Sequence, residues 1–378
     1  MLAPVTFDYS IRLHCETEPG AALVFALLPA RTHQQQLAME MLRVRGADVQ
    51  SVFTDAASAT RYLHVAARGG PLHVELDAQL RLLQAEPGPR GPKRDGRAAP
   101  MASPESLRYL LPSRWCPSDR LAAMCEREFV GVDDPFARTV AIEGWIRRHL
   151  RVLPGDPRPD AVPPGGAPMR SVGEVLRRGA GTPQELAHLM ISLCRASRLP
   201  ARHVTTVPFG VDAPRDLHPW VEVLVDEAWL AFDPSRLVPR TALLRIGTGR
   251  DAADAPLMLG HGAVSGWRAE LSIACLGTAP DALRQRDREA RAICTATLGS
   301  LGEATRWHQE ARLAARRGPQ DEPAPAPQRD PPSRFARTAA AGARRGADVL
   351  VFPSSPSARS TGAPYGSRIE PAQEAHPK

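Results

Sequence analysis

The amino-acid sequence predicts an α+β protein: a β-rich N-terminal region, one buried helix on an antiparallel sheet, and a tail without a core. Three patterns carry that prediction. Apolar and polar residues alternate along 7–15 and 72–82, apolar residues recur at helical spacing from Leu186 to Leu193, and two strand-like runs, 220–225 and 229–232, flank the turn Asp226-Glu227-Ala228. A helix segregated onto one antiparallel sheet is the α+β arrangement.

In chain order, Phe7, Tyr9, Ile11, Leu13 and Cys15 form the apolar side of a first strand, and Leu72, Val74, Leu76, Ala78, Leu80 and Leu82 that of another. Segments 23–28 and 62–67 read as strands between them, so residues 1–86 form a small sheet or sandwich. His14 and His73 fall on the polar faces. Residues 87–102 are rich in Pro, Gly and Arg without periodicity and read as a linker. Residues 103–276 form the second domain. It opens with a short helix at 104–111 and continues with one started by Asp134-Pro135, whose buried side is Val140, Ile142, Trp145, Ile146 and Leu150. A helical lead-in at 171–179 ends in Gly179-Ala180-Gly181.

The organising helix follows. Thr182 suits its N-cap, Pro183 its first position and Glu185 the acid of a capping box; Arg195 and Arg198 complement the dipole at its end, and Pro200 stops it. A strand at 202–208 and the hairpin complete the sheet, with a last strand at 267–275. Residues 277–317 read as an Arg/Ala-rich helical extension. In 318–378, Pro, Arg, Ser and Ala dominate, a composition that cannot bury a core, so the tail is expected to be disordered. Val349-Leu350-Val351-Phe352 is its one apolar cluster, either a short docking motif or incidental.

Composition narrows the function. The net charge is +7, but lysine occurs only at Lys93 and Lys378, and the arginines are spread along the chain with no nucleic-acid motif, so nucleic acid is not an expected partner. No apolar run is long enough to span a bilayer, and the N-terminus lacks a charged leader, so a membrane is not expected either. Six scattered cysteines (Cys15, Cys116, Cys125, Cys194, Cys275, Cys294) show no metal-ligand spacing and read as free thiols in a reducing cytoplasm. No metal or cofactor is called for; Gly247 and Gly249 match neither nucleotide fingerprint.

Thr182-Pro183-Gln184-Glu185-Leu186-Ala187-His188-Leu189-Met190, His218-Pro219-Trp220-Val221-Glu222-Val223 and Phe232-Asp233-Pro234 together resemble the core of the transglutaminase-like superfamily of papain-type cysteine enzymes. The resemblance covers 103–255, most specifically 179–234. In that family a cysteine begins the helix, where free N–H groups and the dipole lower its pKa, and a histidine and an aspartate complete the triad. The resemblance thus implies that His218 and Asp233 are triad members and that Pro183 occupies the nucleophile's place. It also implies that Gln184 and Trp220, with Trp229, border a groove for a peptide or protein segment, although both tryptophans also fit a hairpin core.

The function expected is therefore a transglutaminase-like protein with a degenerate triad, binding rather than cleaving. The alternative is an active cysteine peptidase, amide hydrolase or acyl transferase of the same family using another nucleophile. For that role Thr182 is adjacent but engaged as a cap. Cys194 lies eleven residues on, about 16 Å along the helix axis. Cys116 and Cys125 lie outside the motif, and His188 and Cys194 are wrongly spaced to share a metal.

Overall fold

The computed structural model describes residues 4–83, 104–154, 169–209, 217–278, 280–290, 292–297 and 348–352. Six strands open the chain: β1 (Val5–Thr17), β2 (Ala22–Leu28), β3 (Gln35–Arg45), β4 (Ala47–Thr54), β5 (Arg61–Ala67) and β6 (Gly70–Leu82). The two alternating runs are antiparallel neighbours, with Phe7 opposite Leu80 and Ile11 opposite Leu76. Their apolar sides meet Leu23, Phe25, Leu63 and Val65 of β2 and β5 in one core. The outer face is a ladder of charge. Arg12 holds Asp77 in a two-toothed pair at 2.8 and 3.0 Å, and His14 lies against His73 with ring centres 4.5 Å apart.

Strands β3 and β4 are not foreseen from periodicity. A bulge between Leu37 and Met39 breaks the alternation of β3, and several of its polar residues are buried as well. Glu40 is one of these, fully buried and gripped by Arg61 at 2.6 and 2.7 Å.

Helices then follow: α1 (Pro104–Leu107), α2 (Ala122–Glu128) and α3 (Pro135–His149). The first is shorter than expected. Asp134 caps α3 by accepting from Ala137 N–H, with Pro135 at its first turn. A two-residue strand β7 (Arg151–Val152) lies parallel to β8 (Ala180–Gly181), and between them stands α4 (Val172–Arg178). Ser171 and Glu174 close a capping box on α4, and Gly179, at φ 61°, ends it in the left-handed conformation that glycine adopts without strain.

Helix α5 (Pro183–Ala196) packs on β9 (Ala201–Pro208), β10 (His218–Val225) and β11 (Ala228–Phe232), which join β12 (Leu243–Gly249) and β15 (Cys294–Thr297) in a sheet ordered β12-β9-β10-β11-β15. Here β13 is Met258–His261, β14 Val264–Leu276 and α6 Pro280–Glu289. Every residue of α5 from Glu185 to Arg195 is buried, not only the apolar stripe. The apolar side meets α2, α3 and the β10–β11 face; the side bearing His188 and Arg195 is covered by the loops around 111–116 and 250–252. Arg195 therefore does more than complement the dipole. Its guanidinium is buried and donates to Ala201 O, Leu111 O, Ser113 Oγ and Arg250 O, tying three segments to one helix.

The strand expected to close the second domain, β14, instead pairs along nearly its whole length with β1, and β13 pairs with β2. With a further strand β16 (Asp348–Phe352), the N-terminal sheets are thus β14-β1-β6-β3-β16 and β13-β2-β5-β4. The reason is edge pairing: without them, β1 and β2 would each present a row of unpaired backbone groups. In the expected extension, 280–289 is helical as α6, whereas β15 adds a strand to the second sheet. Of the expected disordered tail, the described part is Asp348–Phe352 (β16), antiparallel to β3; the remainder of 318–378 and of 298–317 lies outside the described residues, as does the linker. Among the described residues no helix is long and apolar enough to cross a membrane.

Candidate active site

The N-terminus of α5 is built as its residues require. Thr182, in extended conformation, accepts from Glu185 N–H, and the Glu185 carboxylate accepts from Thr182 N–H at 2.9 Å. Glu185 is almost fully buried and also accepts from Arg170, through the backbone N–H at 2.9 Å and Nε at 3.0 Å. Burial alone would raise its carboxyl pKa, but the hydrogen bonds from Thr182 and Arg170 hold it below the usual value. Pro183 stands at the first helical position. Its ring offers no nucleophile, and it withholds one of the N–H groups that a helix N-terminus ordinarily presents. The Thr182 hydroxyl is engaged in the cap, accepting from Glu185 N–H.

One turn on, Gln184 bridges two histidines that the spacing did not single out as a pair. Its amide nitrogen lies 3.1 Å from His188 Nε2 and 3.0 Å from His203 Nε2. The backbone N–H of Ala252 also donates to His188 Nε2, at 3.2 Å, so that nitrogen carries no hydrogen and accepts from both. Both imidazoles are neutral. Burial pushes His188 down to about 4, partly opposed by Asp251, and burial together with the neighbouring His188 pushes His203 down to about 3. Trp115 stacks on His188, with rings 7° from parallel and centres 6.4 Å apart, and Asp251 accepts from the backbone N–H of Trp115 and of Ala253, each at 2.9 Å.

His218 and Asp233, read from the sequence as partners, meet: Nε2 to Oδ2 is 3.2 Å, and both are buried. His218 sits at the first residue of β10, and Asp233 follows the last residue of β11, so hairpin pairing brings them together. Asp233 also accepts from Ser235 N–H at 2.9 Å, Ser235 Oγ at 2.6 Å and Val238 N–H at 3.3 Å. Burial would raise its pKa; the hydrogen bonds from His218 and Ser235 outweigh it and keep the carboxylate ionised.

Trp220 and Trp229, considered for the groove, are 1% and 0% exposed. Trp220 packs with Val204, Ala231, Val238 and Leu243, and Trp229 with Ala59, Tyr109 and Ala296, on the sheet side opposite Val221 and Val223, which face α5. This is the hairpin-core placement. All six cysteines have their thiol pKa raised by burial: Cys15 to about 11, Cys116 to about 12, and Cys125, Cys194, Cys275 and Cys294 upward as well. None is poised as a thiolate. Among the described residues no group of three or more His, Cys, Asp or Glu is arranged to hold a metal ion.

The residues missed by sequence reasoning are Trp115, Arg170, His203 and Asp251. Only His203 left a signal, a polar residue on the side of a strand that packs against a buried helix.

Residues 123–234, which contain this helix and hairpin, match the family model of the Transglutaminase-like superfamily, so the second region is a transglutaminase-like domain with helices and an antiparallel sheet. The match includes Pro183, His218 and Asp233. A candidate cysteine protease from Cytophaga hutchinsonii has a similar structure, with a TM-score of 0.60 and 25% identity over 73% of this chain and 92% of that one. The periplasmic domain of TgpA from Pseudomonas aeruginosa aligns over 59% of this chain and 91% of that one at 16% identity, with a TM-score of 0.30. No curated protein matches the sequence.

Proposed function

We propose that this protein keeps a transglutaminase-like scaffold without its thiol chemistry and acts by binding an extended peptide or protein segment. The observation that carries the proposal is Pro183 at the first position of α5, the place that the resemblance assigns to the family's cysteine. Acyl transfer in such a site needs a thiolate at the helix N-terminus, a histidine to handle its proton and donors for the developing oxyanion. Pro183 lacks both the sulfur and the N–H, and the raised pKa of every other thiol supports the reading that no cysteine substitutes. His218–Asp233 then serves as a buried hydrogen-bonded pair that holds the hairpin end.

The experiment is Pro183→Cys beside Pro183→Ala, which restores the N–H without sulfur, each assayed against the native chain for peptidase and amidase turnover and for thiol alkylation against pH. The expected result is a low-pKa thiol and measurable hydrolysis in Pro183→Cys only. Turnover in the native chain, unchanged by Pro183→Cys, would overturn the proposal and send the search for a nucleophile elsewhere.

A further inference from the structure

The sheet face opposite α5 buries an unbalanced charge. Glu222, 2% exposed, lies between two guanidiniums: Arg202, fully buried with Nε 2.7 Å from Oε2, and Arg245, 6% exposed and in contact with Oε1. The Thr295 hydroxyl also donates to Glu222. Burial would raise the Glu222 carboxyl, but Arg245 and Arg202 hold it ionised. Two cations thus share one anion, and one positive charge remains without a counter-charge in the interior, an arrangement that costs free energy unless something compensates it. Arg202 is eased by the Trp229 indole, whose centre is 3.8 Å from the guanidinium carbon. Among the described residues no ring is stacked on Arg245 in this way; its Nη1 donates to Thr248 Oγ1 at 2.8 Å.

Beside Arg245 lies a cavity of about 40 Å³ between the N-terminal sheets and the second sheet, bordered by Gln34, Thr206, Trp220, Glu222, Arg245 and Thr295. Trp220 is 1% exposed, and its indole N–H has no hydrogen-bond partner among the described residues. A buried donor left unmade is rare and calls for a ligand or an ordered water. The volume holds two or three water-sized groups.

We propose that this cavity binds one small monovalent anion of about the size of chloride. The Arg245 guanidinium and the Trp220 N–H hold it; it balances the Arg202–Glu222–Arg245 cluster and satisfies the indole. The Glu222 carboxylate on the wall is already bridged by both arginines and by Thr295, which leaves the site net positive. Because Gln34 comes from the loop before β3 and Arg245 from β12, the anion joins the two halves of the molecule, and its binding is coupled to folding. This inference is independent of the fate of the nucleophile.

The test is thermal unfolding of the full chain in sodium chloride, sodium bromide and sodium gluconate at equal ionic strength, since gluconate screens charge equally but is too large for the cavity. Halide should raise the unfolding midpoint with concentration, whereas gluconate should not. Trp220→Phe, which keeps an aromatic ring and removes the donor, should need about tenfold more halide for the same rise. Crystals of the native chain grown in bromide should show an anomalous peak between the Trp220 indole and Arg245, a readout that does not depend on the variant folding. Equal midpoints in all three salts, or water without bromide at that position, would overturn the proposal.

Discussion

Proline at 183 matters in two ways. Its ring carries no group able to attack a carbonyl, and it lacks the backbone donor that would otherwise need a partner at a helix terminus. Thr182 and Glu185 close the cap around it. Gln184 is as local in origin and as wide in effect, since its amide bridges two imidazoles that burial keeps neutral. In the unfolded chain histidine titrates near 6.5, whereas here His188 and His203 titrate near 4 and near 3. Between those values the unfolded chain binds more protons, so their stabilising effect is complete above about pH 6.5 and is lost as pH falls towards 4. Urea denaturation across that range should show a loss on the order of a few kcal/mol. His203→Gln should flatten the slope; an unchanged slope would show that these imidazoles do not govern it.

At the scale of elements, the β10–β11 hairpin turns through Asp226 and Glu227, at φ 48° and 66°. Positive φ at both central residues suits the twist of a hairpin but strains a residue with a side chain. Glu227→Gly should therefore stabilise the protein by about 0.5–1 kcal/mol, read as a higher denaturation midpoint with an unchanged slope. This hairpin was legible beforehand, because alternation and a short polar turn are local signals. So was α5, through its cap, its proline and its apolar spacing. Strand β3 was not, because its bulge and its buried Glu40 erase the period-two pattern on which strand reading depends. Strand β16 was legible only as four apolar residues in a polar stretch; its backbone pairing with β3, from Asp348 opposite Val44 to Phe352 opposite Glu40, spans more than three hundred residues of sequence.

The molecule as a whole is tied together across its domain boundary. Strands β13 and β14 return from the far end of the transglutaminase-like domain to complete both N-terminal sheets, so residues 1–86 are not a closed unit. Gln35 strengthens the junction by accepting from the Arg245 N–H at 2.7 Å and donating to the Arg245 carbonyl at 2.8 Å, and Thr60 accepts from the Thr248 N–H at 3.0 Å. A fragment of residues 1–86 should accordingly fail to give a cooperative unfolding transition, because β1 and β2 would be left as long open edges. Circular dichroism during heating would check this, and a cooperative melt of the fragment would show the sandwich to be autonomous.

What the sequence by itself determined is whatever depends on near neighbours: the α+β class, the capped helix with Pro183 at its head, the hairpin, and the identity of His218 and Asp233 as partners. Periodicity, capping and turn chemistry act over a few residues and leave their mark in any window that contains them. The tertiary structure alone decided the burial of α5 on every side, the Gln184 bridge between His188 and His203, the return of β13 and β14, and the Arg202–Glu222–Arg245 cluster beside its cavity. These depend on which distant segments compete for the same backbone groups and the same buried charge, and that competition is settled only when the whole chain has packed.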